Sequence, residues 1–346
     1  MHDCHSENRR LEKVSNSALI SGMDRPTAQQ TAQGQASSAA AAANPPIQPV
    51  PQVAGNNDNN VDVNFDSGIE VERHHITLLL LEKKLYLAPI GKYPQRILDV
   101  GTGTGIWAFN VAEETPSAVV TGTDISPVSQ DGTLAQHPNF IHINDDAQEE
   151  WYFRSDHFDF VHMRYLYGAI DDWGKLFRQA YTHLRPGGWV ESLELDIEIH
   201  SENPKFENDP DHIFKKWWQL FLECGQKTGW PWDIAREGRQ KRYMRDAGFR
   251  ELVTKSWKLP IGGWSEDKKL KEIGVHNGEF IWKSIDAFTI HPIGEVLGWS
   301  REQLATLVNK MLKALMEPKT FPYYTVHMVY GRKPKRVLAT TEGTQG

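Results

Sequence analysis

The sequence predicts an α/β fold, a doubly wound and mostly parallel seven-stranded sheet with helical insertions capping the carboxyl ends of the strands. Three observations carry this expectation. Short apolar runs alternate with stretches of helical periodicity from about Glu70 onward. The first of those runs ends in a glycine-rich turn, ILDVGTGTGIW, from Ile97 to Trp107. Two segments rich in Trp and Phe, about 198–236 and 262–322, interrupt the alternation late in the chain. Strand, helix, strand at this spacing is the pattern of a parallel sheet with helices on both faces.

Element by element, the chain opens on a stretch that supports no core. From Ser15 to Asn60 it is dominated by Ala, Gln, Asn, Ser and Pro, too little apolar surface to offset the entropy of ordering. The run Ala39 to Ala43 is too short for a free helix, and Pro45, Pro46, Pro49 and Pro51 block its extension. Residues 1–64 are therefore expected to be a disordered tail. Glu70 to Leu87 reads as a partly buried helix ended by Pro89 and Gly91. Strands follow at Arg96–Val100, at Ala118–Gly122 ending on Asp124, at Phe140–Ile143, Phe158–Met163, Gly188–Leu195 and Glu251–Leu259, with a last one at Tyr324–Tyr330. Helices are expected at Ile106–Glu114 and Trp173–Leu184, and another ends near Tyr243–Gly248. The folded domain is expected to span 65–335, with 336–346 a flexible tail.

Composition narrows the function classes. The net charge of −7 repels polyanions, and no long basic stripe interleaved with aromatics is present, so nucleic acid is not an expected partner. The longest aliphatic run, Ile76 to Leu81, is far short of a membrane span, and Met1 to Asn16 has no apolar stretch of the secretory kind, so the protein is expected neither in a membrane nor secreted. Cys4 and Cys224 make neither a disulfide framework nor a metal cluster, and no metal is expected. Arg332, Lys333, Lys335 and Arg336 read either as a solvated chain end or as a short nuclear-import signal.

The glycine turn carries the chemistry. Gly101, Gly103 and Gly105, with Thr102 between the first two, allow positive φ and close approach of a ligand to the backbone. Nicotinamide enzymes tend to show G-x-G-x-x-G; here the third glycine comes one residue early, and Ile106 stands in its place. Asp99 precedes the first glycine by two positions. Asp124, followed by Ile125, ends the second strand where a carboxylate can accept both ribose hydroxyls of an adenosine. Asp145, Asp146 and Ala147 follow the third strand, where an acid and a backbone amide can read an adenine edge. Each acid also has a plainer reading: Asp99 as a turn stabiliser, Asp124 as a strand-end acid, Asp145 and Asp146 as loop or helix caps. Their order along the chain favours a cofactor series. Met163 and Arg164 close the fourth strand beside it, and the planar fork of Arg164 suits a carboxylate.

These residues resemble class I methyltransferases, with ILDVGTGTG like their first motif and LRPGGWVE (Leu184–Glu191) like the turn before their fifth strand. More narrowly, GTGIWA, GTDISP, FDFVHMRYLYGAIDDW, RPGGWVESLELD, LGWS and YYTVHMVYGRKP are similar to the fungal LaeA-like methyltransferases over about Asp66 to Pro334. The resemblance implies S-adenosyl-L-methionine as cofactor, a small-molecule or protein methyl acceptor, and a nuclear or nucleocytoplasmic role in regulating or making secondary metabolites. It also implies velvet-type protein partners in some members. A regulatory scaffold that binds cofactor with little turnover is the alternative.

No catalytic residue stands out, because methyl transfer from a sulfonium depends mainly on alignment. A DPPY-like loop is absent after the fourth strand, where His162, Met163, Arg164 and Tyr165 stand. His162, Tyr165 and Tyr167 are candidate contacts, and Glu194 and Asp196 candidate orienting groups. Trp217, Trp218, Trp230, Trp232, Trp264 and Trp282 read as core or as the lining of an apolar pocket.

Overall fold

Alternation of side chains along the strands divides the interior into two layers. Ile97 and Phe160 pack with Trp107, Phe109 and Val120 on one face of the sheet. Leu98, Val100, Val161 and Met163 pack with Trp173, Phe177 and the later insertions on the other. The computed structural model describes residues 63–128 and 137–336, with side chains from Gly68. The expected tails therefore lie outside the described residues, apart from Val63, Asn64 and Arg336.

Seven strands form one sheet: β1 (Arg96–Val100), β2 (Val119–Asp124), β3 (Phe140–Asn144), β4 (Phe158–Arg164), β5 (Leu184–Ser201), β6 (Arg250–Pro260) and β7 (Pro322–Arg332). Their order is β3-β2-β1-β4-β5-β7-β6. All pairs from β3 to β5 are parallel, and β7 runs antiparallel to both β5 and β6. The expected fold class is the observed one. Strand order reverses between β1 and β4, so a crevice opens beyond their carboxyl ends, the place where open α/β sheets bind ligands.

The first helix, α1, spans Val63–Leu80 rather than Glu70–Leu87. Its apolar pattern continues past Leu80, but Glu82 and Lys83 take positive φ and turn the chain. Leu81 and Leu85 are then buried from a non-helical segment, so apolar spacing overran the helix end. On the sheet, α2 (Ile106–Glu114) starts directly from the glycine turn. Helix α3 (Trp173–His183) is started by Asp172, whose side chain accepts from Lys175 N.

β5 runs past the expected Leu195 to Ser201, because Ile197 and Ile199 are buried and Asp196 and His200 pair with β7. The first insertion thus begins after Ser201, with α4 (Pro204–Glu207), α5 (Ile213–Thr228) and α6 (Arg239–Asp246). The second holds α7 (Lys268–Ser284), α8 (Ala287–Thr289), a π-helical turn at Ile290–Val296 and α9 (Arg301–Met316). A capping box at Ser300 and Gln303 starts α9. Among the described residues no helix is long and apolar enough to cross a membrane.

The basic end of β7 folds back on the protein. Lys333 Nζ donates to Asp156 Oδ1 and to the carbonyls of Tyr181 and Leu184, each at 2.7 Å, and Arg336 pairs with Asp156 at 2.6 Å. Lys333 is thus spent closing the turns around α3, which neither sequence reading of the cluster anticipated.

Candidate active site

β1 ends on Val100, and the chain then turns through Gly101 (φ 68), Gly103 (φ 56) and Gly105 (φ 83) into α2. A side chain at Gly101 would overlap Leu166, and one at Gly103 would overlap the Glu70 carboxylate. Both positions favour glycine chiefly for their positive φ, since the overlapping atoms are the ends of flexible side chains. Asp124 Oδ2 accepts from Gly103 N at 2.8 Å and Oδ1 from Ser126 N at 2.9 Å. Glu70 Oε2 accepts from Thr104 N at 2.7 Å.

A polar pocket of about 170 Å³ lies beyond this turn, bordered by Gly101, Thr102, Gly103, Asp124 and Arg164, and on α1 by Glu70. Arg73 and His74 come from the same face of α1, three and four residues after Glu70. Arg164 Nη1 donates to His74 Nδ1 at 2.9 Å, and His74 Nε2 donates to Asn110 Oδ1 at 2.9 Å. Burial, reinforced by the Arg164 charge, pushes His74 down to about 4, so it stands neutral beside the guanidinium and offers no counter-charge. Arg164 makes no salt bridge among the described residues. A guanidinium stays charged even where burial opposes it. The pocket therefore presents on one side a guanidinium without a salt bridge and on the other the Asp124 carboxylate.

The remaining residues of the expected cofactor series are placed differently. Asp99 is only 2% exposed; its oxygens take Thr102 Oγ1 and His162 Nδ1, each at 2.7 Å. It sits opposite His162 in the β1–β4 register and faces α2, where Trp107 stacks on the imidazole at 3.6 Å. Asp99 and His162 thus brace the turn from beneath, the plainer reading of both, and burial keeps His162 below its ordinary range despite Asp99. Asp145 and Asp146 accept from the backbone at Asp146 N and Gln148 N, as loop caps do. Ala147 O takes Trp151 Nε1. Ile125 is 72% exposed, and Met163 is wholly buried in the core.

Glu70, Arg73 and His74 escaped the sequence reading because α1 was scanned for apolar spacing, whereas its polar i, i+3, i+4 face carries the signal. Leu166 escaped it too. Tyr165, with φ 56, stands at the pocket edge; its hydroxyl is 2.8 Å from Thr77 Oγ1, and Arg73 lies over its ring. Strained backbone of this kind persists only where surroundings hold it. Here Tyr165 N bonds Leu193 O, while Glu194 accepts from Leu166 N and Tyr167 N. Burial raises Glu194 to about 8 and Glu191 to about 7, against the backbone donors that favour ionisation. Asp196 instead pairs with Arg236 at 3.4 Å, away from the pocket.

A seven-stranded sheet with this strand order, and a glycine turn and strand-end acid at its switch point, defines the class of protein as a Rossmann-like methyltransferase fold. The model of a methyltransferase domain matches residues 73–254. Methyltransferase pytC of Aspergillus terreus is 33% identical over 262 residues, covering 75% of this chain and 78% of its own. The probable methyltransferase tdiE of Emericella nidulans is 32% identical over 276 residues, 78% of this chain and 84% of its own. The secondary metabolism regulator laeA of Aspergillus fumigatus is 30% identical over 245 residues, 69% of this chain and 62% of its own. The chain belongs to the methyltransferase-domain family and, within it, to the fungal LaeA-like methyltransferases.

Proposed function

We propose that this methyltransferase uses S-adenosyl-L-methionine, held in the polar pocket between the glycine turn and α1. One observation carries the reading: Arg164, which makes no salt bridge among the described residues, and the Asp124 carboxylate border one pocket beyond a turn of three positive-φ glycines. The donor set fits such a cofactor. Asp124 would hold the ribose hydroxyls, and Arg164 the carboxylate of the methionine end. Glu70, which takes Thr104 N on Oε2, would offer Oε1, 3.9 Å from Arg73, to the ammonium group. When bound, the sulfonium supplies an electrophilic methyl group. The chain's own part is to align it, exclude water and fix the acceptor.

Asp99 and His162 set the shape of the turn and touch no ligand in this reading. Asp145, Asp146 and Ala147 follow β3 beyond Asp124 and are assigned to the adenine end; Asp146 N and Gln148 N are already taken by Asp145 Oδ1 and Asp146 Oδ1, which leaves the second carboxylate oxygens and Ala147 N for the base. The folded catalytic unit is assigned to residues 65–335. Relatives that include secondary metabolism regulators and pathway methyltransferases support a role in making or regulating fungal secondary metabolites, in nucleus or cytoplasm, with velvet-type proteins as possible regulatory partners.

Calorimetry with S-adenosylmethionine and S-adenosylhomocysteine tests the cofactor, and transfer of a labelled methyl group into host extract tests turnover. Binding of both ligands with labelled product is the expected result. Binding without any labelled product would establish the scaffold alternative, and absence of binding would overturn the cofactor assignment.

A further inference from the structure

Behind Tyr165 lies a second cavity of different character. It is bordered by Ile76 of α1, Leu195 and Ile197 of β5, Trp217 of α5, and Phe280 and Ile281 of α7, among other apolar side chains. Arg73 and Tyr165 border both this cavity and the polar pocket, so the two spaces meet at that pair. No carboxylate lines the apolar cavity. The nearest one, Glu194, spends both oxygens on backbone N–H groups. Trp217 is fully buried, and its indole Nε1 has no hydrogen-bond partner. A buried N–H left unpaired costs free energy, which a ligand oxygen would recover.

We infer that this cavity receives the methyl acceptor, and that the acceptor is an apolar small molecule bearing an acidic hydroxyl, a phenol or an enol. This rests on the cofactor reading above. A lysine or arginine side chain of a protein acceptor would enter with its charge unpaired and with Arg73 repelling it. An ionised phenol or enol oxygen meets the reverse situation, since Arg73 at the junction lowers the cost of its negative charge. The hydroxyl proton goes to water before transfer. The oxygen's electron pair then forms the new O–C bond while the methyl–sulfur bond breaks, and sulfur leaves as a neutral thioether.

As it stands the cavity holds about 40 Å³. The acceptor therefore enters by displacing the cap side chains of α7 and α8, which are not strands of the sheet. On α1, that cap rests through exposed contacts of Lys283 with Glu72 at 2.7 Å and His276 edge-on to His75 at 4.9 Å, which cost little to part, while the buried Phe280 and Ile281 must repack as the acceptor enters.

The test incubates full-length protein with methyl-labelled S-adenosylmethionine and extract of the native host, then separates organic-soluble counts from acid-insoluble protein. Label is expected in the organic-soluble fraction. Ile281→Trp, which fills the cavity, is expected to lower that transfer by about tenfold or more while S-adenosylhomocysteine affinity stays within about twofold. Trp217→Phe, which removes the N–H together with part of the ring, is expected to lower transfer several-fold, and Arg73→Met to move the acid limb of the pH profile upward. Label in the protein fraction, or transfer untouched by both cavity variants, would overturn the inference while leaving the cofactor reading intact. Loss of S-adenosylhomocysteine binding by the unaltered chain would overturn the cofactor reading itself.

Discussion

The two spaces that meet at Arg73 and Tyr165 are built in opposite ways. The polar pocket is assembled from backbone: three positive-φ glycines, N–H groups taken by Asp124 and Glu70, and one cation without a counter-ion. Its walls come from the ends of β1, β2 and β4 and from the polar face of α1. The apolar cavity is assembled almost wholly from side chains contributed by α1, α5, α7, α8 and three strands. The first therefore tolerates almost no change at a few positions, whereas the second should tolerate many changes of shape and so accommodate different acceptors on one scaffold.

Replacing Asp124 should break the contrast most sharply. Asp124→Ala removes the charge-assisted hydrogen bonds from Gly103 N of the turn and from Ser126 N, together with the proposed ribose contact, and is expected to weaken S-adenosylhomocysteine binding roughly 100-fold. Calorimetry checks it; an affinity within about twofold of the unaltered chain would show that the pocket is not the cofactor's. Asp99 sharpens the comparison from beneath. Because it is buried between Thr102 and His162, Asp99→Ala is expected to cost roughly 2–4 kcal/mol of folding stability, with weaker binding following from a loosened turn. Denaturant titration decides this; full stability with lost affinity would make Asp99 a direct ligand instead.

A third outcome concerns pH. Burial holds Glu191 at about 7 and Glu194 at about 8, above their unfolded values, so the folded chain keeps protons that the unfolded chain has released. The stability this gives at acid pH is lost as pH climbs through those values, with a slope of up to about 1.4 kcal/mol per pH unit per group. His74, pushed down to about 4, acts in the other direction but finishes by its unfolded value of 6.5, leaving the carboxyls alone above it. Glu191 accepts Leu87 N and Ala88 N through one oxygen and has no partner for the other. Glu191→Gln is therefore expected to flatten the decline between its unfolded value of 4.5 and about pH 7; denaturation curves with an unchanged slope would contradict that. The smallest effect belongs to the cap's edge: Glu72→Gln, parting Lys283, is expected to cost under about 1 kcal/mol and leave affinity unchanged.

What could be read from the chain follows the same division. The glycine turn, Asp124 and all seven strands are encoded locally, in contiguous residues whose period and spacing carry the information. The order of the strands and the antiparallel placing of β7 come from the structure, since the sequence reading went no further than a doubly wound, mostly parallel sheet. The ends of α1 and β5 were misjudged because Leu81, Leu85, Ile197 and Ile199 are buried by tertiary neighbours, not by their own element's period. Asp99 and Asp124 look alike in sequence, two strand-end acids, but only the pleat tells them apart. Asp99 faces α2, and Asp124 ends its strand at the open crevice. The apolar cavity was visible only as an excess of Trp and Phe; which side chains converge on it depends on residues more than 100 positions apart, such as Ile76 and Trp217, bordering one space.

Titration of S-adenosylhomocysteine into the full chain and into Arg164→Met is the most direct test of the central claim, that an uncompensated guanidinium and a glycine turn together form the cofactor's seat. Saturable one-to-one binding by the unaltered chain, weakened by about tenfold or more in the variant, is the result expected. Equal affinity in the two proteins, or no heat of binding in either, would contradict it.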